Sequence, residues 1–337
     1  MAKPLALTMG EPAGIGGEIA LKCWLAREKE KFAPFFLIDD HARLLALARE
    51  LNLDVPLQNI NSPEAASACF PRALPVLHRP LRIPVTPGTP NAANAPVVID
   101  AIKEAVTLAQ SHDIAGIVTN PVHKPTLQNA GFAFPGHTEF IAHLCNTPAP
   151  VMMLACPILK VVLVTVHLAL RDAARALTTE KIVTVSEIAA KSLTADFGIA
   201  KPRLVIAGLN PHAGDDGVLG REEREIIAPA VALLKTRDID IRGPLPADTL
   251  FHADARMHYD AAICMYHDQG LIPIKTLDFA RGVNITLGLP IVRTSPDHGT
   301  AFDIAGKGIA NPASLSEALA MATHIFEHRQ PKSGHAL

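Results

Sequence analysis

The chain has 337 residues, a length that suits about two domains at ~150 residues each. Hydrophobic residues make up 49% and charged ones 19%, which excludes a disordered chain. Thirty-one basic residues against 33 acidic ones leave a net charge of -2. That balance gives no electrostatic basis for binding nucleic acid or an anionic membrane, so any phosphate must be held by a few placed side chains. No run approaches the ~18 uninterrupted apolar residues of a membrane span, and MAKPLALTMGEP lacks the regions of a signal peptide. Cys23, Cys69, Cys145, Cys156 and Cys264 are scattered and never form CxxC, so reduced thiols in the cytoplasm are expected.

In chain order, PLALTM, APFFLID, IAGIVT, KVVLVTV, RLVIAGL and DAAICMY each read as short buried strands. Between them VVIDAIKEAVTLAQ, TEKIVTVSEIAAKSL and REEREIIAPAVALLK read as helices. The alternation predicts an α/β protein with a largely parallel sheet and helices on both faces. NPASLSEALAMATHIF is a closing helix, started either by a Ser314/Glu317 capping box or by Asn311-Pro312.

KVVLVTV runs into His167, RLVIAGLNP into His212 and DAAICMY into His267. Ligands of open α/β folds bind beyond the carboxyl ends of strands, so these histidines are candidates for one divalent metal site with an open position. The bland alternative is three strand-end histidines bonded to backbone. In PDHGTAFDIAGKGIANP, Gly299, Gly306 and Gly308 permit close approach, and His298, Asp303 and Asn311 give polar reach. It is not GxGxxG, and a tight surface loop explains it equally well. In GHTEF, His137 and Thr138 could bind an anion at a helix start, or Thr138 could simply be an N-cap. Lys275, Asn284 and Arg293 could hold a phosphate or carboxylate, though each alone reads as an ordinary surface or turn residue.

With TMGEPAGIG, TNPVHK, GHTEF, VTVHLALRD, GLNPHAG, GPLPADTLF, MYHDQGLIPIK and VNITLGLPIVRTSPDHGTAFDIAGKG in this order, the chain resembles the 4-hydroxythreonine-4-phosphate dehydrogenase family over nearly its whole length. The resemblance implies an isocitrate/isopropylmalate dehydrogenase-like α/β fold, with two α/β/α subdomains and a cleft between them. One subdomain is expected over about 1–131 plus 290–337, with the dinucleotide loop, and the other over about 132–289, with the metal ligands and dimer interface. It implies a homodimer with a shared site and a divalent ion (Zn2+, Mg2+ or Co2+) on His167, His212 and His267, one of them from the partner subunit. His267 is expected to act from the side opposite His167.

The implied substrate contacts are His137, Thr138, Lys275, Asn284 and Arg293, with Asp248, Lys275 or metal-bound water as candidates to take the hydroxyl proton. The implied cofactor loop comprises His298, Gly299, Thr300, Ala301, Asp303 and Asn311. Asp303 facing the ribose would accept from free hydroxyls and repel a 2′-phosphate, which favours NAD over NADP. The implied reaction oxidises C3 of 4-phosphooxy-L-threonine, and the β-keto acid loses carbon dioxide, a step of pyridoxine 5′-phosphate synthesis. Threonate or erythronate 4-phosphate is the rival substrate, and a three-histidine hydrolase the rival chemistry. Gly17 stands where relatives commonly have proline, and is expected to loosen the first helix turn.

Overall fold

A computed structural model describes residues 3–330. Its strands are β1 Leu5–Thr8, β2 Phe35–Asp39, β3 Leu57–Ile60, β4 Leu74–His78, β5 Gly116–Thr119, β6 Val151–Cys156, β7 Leu159–Leu163, β8 Arg203–Ala207, β9 Asp240–Leu245, β10 Ala261–Cys264, β11 Val283–Leu287 and β12 Arg293–Pro296. The described residues divide into two compact units, 3–150 with 289–327 and 151–288 with 328–330.

In the first unit the strand order is β3-β4-β2-β1-β5-β12, with every pairing parallel. Strands such as LALT and FFLID are buried along their whole length, as parallel strands covered on both faces must be. The Ala95–Gln110 helix lays Val98, Ile102 and Val106 on this sheet. Residues 132–150, expected in the middle unit, belong here instead. Phe140 and Ile141 of the His137–Leu144 helix enter the same core as Val98 and Ile102, which draws the boundary to Pro150. At Gly17 an added Cβ would lie 2.9 Å from Leu47 Cδ2 and 3.1 Å from Arg43 Nη1. The Gly16–Leu25 helix is intact around it, so glycine here permits close packing of the His41–Glu50 helix.

The second unit has the order β11-β6-β7-β10-β8-β9 and is mixed: β6 runs antiparallel to both β7 and β11, and the other pairs are parallel. Its Thr179–Phe197 helix starts where Thr178 Oγ1 accepts from Lys181 N at 3.1 Å and stops at Gly198, φ 68°. The segment expected as one helix from Arg221 is a π-helical turn, Glu223–Ile227, followed by the Ala228–Thr236 helix.

All six apolar runs of the sequence form strands. Six more strands were not anticipated: β6, VMMLAC, is as apolar as the six, whereas β9 carries Pro244 at a sheet edge and β12 is Arg-Thr-Ser-Pro yet wholly buried. The closing helix is Ala313–Arg329, with Asn311 Oδ1 accepting from Ala313 N at 3.0 Å. Ser314 lies inside this helix, its Oγ accepting from Asp297 N at 2.9 Å, so it is not the N-cap of a capping box. All five cysteines are free and buried. No helix among the described residues is long and apolar enough to cross a membrane.

Candidate active site

In the first unit, polar groups collect where the start of β12 lies beside the carboxyl end of β5. Arg293, on β12, is only 3% exposed, and its Nη2 donates to Thr119 Oγ1 of β5 at 2.9 Å. Burial lowers its pKa to about 10, with Glu139 opposing the shift, so the guanidinium stays charged at neutral pH. The His137 ring is partly covered, and its Nε2 is buried without a partner. Desolvation, reinforced by Arg293 and Lys124, pushes the His137 pKa down to about 3, leaving a neutral imidazole.

His137 opens the His137–Leu144 helix, with Gly136 at the N-cap and no side-chain cap hydrogen bond. Thr138 is therefore not the N-cap. It sits one residue inside the helix, which leaves the first N–H groups for an anion. Lys124 flanks Gly136 and was not singled out by sequence, although it stands in the TNPVHK block.

The glycine-rich segment after β12 lies in the same unit. Gly306 and Gly308 take φ of 74° and 73°, and Ala301 takes 47°. Lys22 Nζ donates to Gly308 O at 2.9 Å and Ala310 O at 2.7 Å, and Glu18 Oε1 accepts from Lys22 and from Ala310 N, both at 2.8 Å. Ile15 N donates to Thr300 O at 3.1 Å, and His298 Nδ1 lies 2.9 Å from Gly299 O. Asp303 is exposed on this anchored loop, while Asn311 Oδ1 is engaged at the closing helix.

The second unit holds the three histidines. Beyond β7 and β10, Val164 N donates to Cys264 O at 2.9 Å and Thr165 Oγ1 to Met265 O at 2.7 Å, which keeps the two strand ends together. The His167 and His267 rings consequently lie 5.9 Å apart, centroid to centroid, and line one cavity of about 250 Å³. His267 Nδ1 is 2.7 Å from Asp268 Oδ1, which leaves its Nε2 for a ligand. His212 is exposed in the Pro211–Gly217 turn past β8, beside the Ala247–Thr249 turn that carries the exposed Asp248. Among the described residues no three His, Cys, Asp or Glu side chains of the chain group closely enough to hold a metal. Lys275 is half-buried in the His267–Leu277 helix, 5.4 Å from the Phe279 ring centroid, and Asn284 on β11 has a buried Oδ1 with no partner.

Residues 31–322 match the family described as pyridoxal phosphate biosynthetic protein PdxA. The chain belongs to the PdxA family. It is 51% identical over 336 residues to the 4-hydroxythreonine-4-phosphate dehydrogenase of Bradyrhizobium diazoefficiens, covering 96% of this chain and 97% of that one. The crystal structure of the Klebsiella pneumoniae 4-hydroxythreonine-4-phosphate dehydrogenase superposes with a TM-score of 0.86 at 39% identity, covering 96% and 100%. A terephthalate 1,2-cis-dihydrodiol dehydrogenase from Burkholderia xenovorans gives 0.64 at 27%, covering 96% and 98%. The expected α/β fold is thus the fold of the solved family members, and the chain is an oxidoreductase of the dehydrogenase type.

Proposed function

We propose that the chain oxidises 4-phosphooxy-L-threonine at C3 with NAD(P) in pyridoxine 5′-phosphate synthesis. The observation that carries this reading is a polar cluster in the first unit: buried, charged Arg293 near an uncapped helix start and the neutral His137. A buried guanidinium with fixed geometry and free helix N–H groups suits a phosphate or carboxylate far better than a neutral diol. Arg293, Thr138 and the helix N–H groups orient the anionic end of the substrate, and neutral His137 hydrogen-bonds without adding charge. Lys275 and Asn284 keep the substrate-binding roles that the resemblance gives them.

His167, His212 and His267 are proposed to hold a divalent ion, Zn2+, Mg2+ or Co2+, with one ligand supplied by the partner of a homodimer. The donor set fits: Asp268 occupies Nδ1 of His267 and orients the ring, as carboxylates do behind metal-bound imidazoles. A divalent ion held there would supply Lewis acidity at the C3 hydroxyl, and a bound nicotinamide cofactor would supply the hydride acceptor. Asp248 or Lys275 takes the hydroxyl proton. The resulting C3 ketone accepts the electron pair released as C1 leaves as carbon dioxide, and a proton at C2 completes 3-amino-2-oxopropyl phosphate.

Large exposed apolar side chains support the dimer. Leu168, Leu170, Val218, Leu219, Met257, Ile272 and Phe279 all lie in the second unit, most of them on or beside the segments that bear the histidines. Exposed Asp303, on a loop whose Thr300 carbonyl accepts from Ile15 N, supports NAD over NADP, with His298, Gly299, Thr300 and Ala301 keeping the cofactor contacts the resemblance gives them. Five free cysteines suit a cytoplasmic setting.

The test is a panel of four-carbon acid phosphates with NAD and NADP at stated metal concentrations, reading reduced nicotinamide. Fastest turnover with 4-phosphooxy-L-threonine is expected. Faster turnover with threonate or erythronate 4-phosphate moves the substrate within the family. No reduced nicotinamide from any phosphorylated acid overturns the reading.

A further inference from the structure

The histidine segments of the second unit are braced by two buried polar side chains with no part in the proposed chemistry. Gly208–Asn210, between β8 and His212, is held from two directions. Gln269, two residues past His267, donates from Nε2 to Gly208 O at 2.6 Å while its Oε1 accepts from Met265 N at 2.7 Å. Glu223 accepts from Asn210 N through Oε1 at 2.7 Å and from Asn210 Nδ2 through Oε2 at 2.9 Å. Both are buried, at 7% and 5% exposed. Glu223 also opens the π-helical turn, an irregularity that recurs at functional sites.

The segment that follows needs such a hold. Five successive residues, His212 to Asp216, have φ between 44° and 85°. Only Gly214 tolerates that sign without cost, since the Cβ of an L residue crowds its own backbone there. At Gly214 a Cβ would stand 2.6 Å from Glu223 Oε2, so the carboxylate lies directly against the turn. Left-handed runs of this kind persist only where their surroundings over-determine them, and they gather at ligand clamps.

We propose that Glu223 and Gln269 are positioning residues of the metal centre: they hold the left-handed turn so that His212 is presented in a fixed relation to the end of β10 and His267. The proposal rests on the metal reading above, and neither side chain is assigned to the ion itself. Without the brace the turn relaxes towards right-handed conformations and His212 leaves its place.

The experiment loads full-length protein with Co2+ and measures affinity by chelator competition, together with the visible absorption of the bound ion. Glu223→Gln keeps the shape but sets an amide N–H₂ against Asn210 Nδ2, and Gln269→Met removes both of its bonds. Each is expected to weaken Co2+ binding about 10- to 100-fold and to change the absorption bands, while the metal-free Tm moves by only a few degrees. Unchanged affinity and bands, with only a lowered metal-free Tm, mean a purely structural role and overturn the proposal. Where either buried variant fails to fold, Asn210→Ala removes one bond to Glu223, and unchanged Co2+ affinity in it is equally fatal. His212→Ala is the separate control. Full Co2+ affinity there defeats the metal reading itself, whatever the positioning variants do.

Discussion

The polar cluster of the first unit and the histidine cluster of the second solve opposite problems. The polar cluster is finished within one unit: Arg293 is removed from water, bonded to Thr119, and still charged, and it helps keep His137 neutral. The histidines are left at the surface, two rings facing one small cavity and the third on an exposed turn, amid uncovered apolar side chains. A cation can be buried only where the fold supplies its partners, because desolvation otherwise outweighs any gain. Side chains left in water pay no such penalty, so the histidines of the proposed metal site can stand exposed until an ion and a second subunit complete it. The first unit's cluster is thus sensitive to its own packing, the second's site to what joins it.

The largest expected effect breaks the exposed half. His167→Ala, His212→Ala or His267→Ala should reduce turnover to background and strip the metal, since Lewis-acid stabilisation is worth several kcal/mol. Unfolding temperatures should hold, because His167 and His212 are exposed and His267 is only half-buried. Metal analysis with kinetics checks this, and near-normal rates in a metal-free variant would remove that residue from the ligand set. Co-expressing pairs of these variants sharpens it. Random reassortment makes about half the dimers mixed, each with one intact site when the two lesions fall on opposite subunits' contributions, so about a quarter of wild-type activity returns. His167 with His267 is the informative pair, because the two rings are 5.9 Å apart in one chain. Recovery assigns them to opposite sides of a shared site; no recovery assigns them to the same side.

Next in size is the buried half. Arg293→Met should lower kcat/KM about 100-fold, chiefly through KM, because the substrate anion then meets a desolvated cluster without its charge. Arg293→Lys should recover only part of this, since an ammonium cannot reproduce the planar fork. Steady-state kinetics decides, and an unaffected KM would dissociate the cluster from the substrate.

Asp303→Lys is expected to shift the NAD-to-NADP preference roughly 10-fold towards NADP, a cation replacing an acceptor beside the ribose. Kinetics with both cofactors provides the measurement. An unchanged preference places Asp303 away from the 2′ position.

The smallest effect is a pH dependence. With the pKa of His137 lowered from 6.5 to about 3, the unfolded chain binds a proton in this window that the folded chain refuses. The stability it contributes is therefore complete above about pH 6.5 and lost as pH falls towards 3. His137→Asn should flatten the acid side of the urea midpoint against pH by up to one proton. An identical slope would mean that the imidazole is not desolvated.

Much of this was legible in the chain of letters. Apolar runs gave six strands, and the polar residues straight after them flagged His167, His212 and His267. Other features were not. β12 reads as a loop, and its burial depends on strands distant in sequence. Thr138 was misjudged as a possible N-cap because capping is decided by the backbone of Gly136. Ser314 has capping-box spacing, yet its hydroxyl is taken by Asp297. Lys124 and Gln269 stand in the TNPVHK and MYHDQGLIPIK blocks, yet neither they nor Glu223 show in the sequence which groups they would contact.

By itself the sequence determined the α/β class and the family, and it named candidate side chains for the site, because periodicity and ordered motifs are local properties. Only the tertiary structure decided which of those side chains become partners. Arg293 finds Thr119 across 174 positions, and Gln269 finds Gly208 across 61. Such bonds are worth making only once the sheet has removed both ends from water, and no spacing in the chain encodes that event.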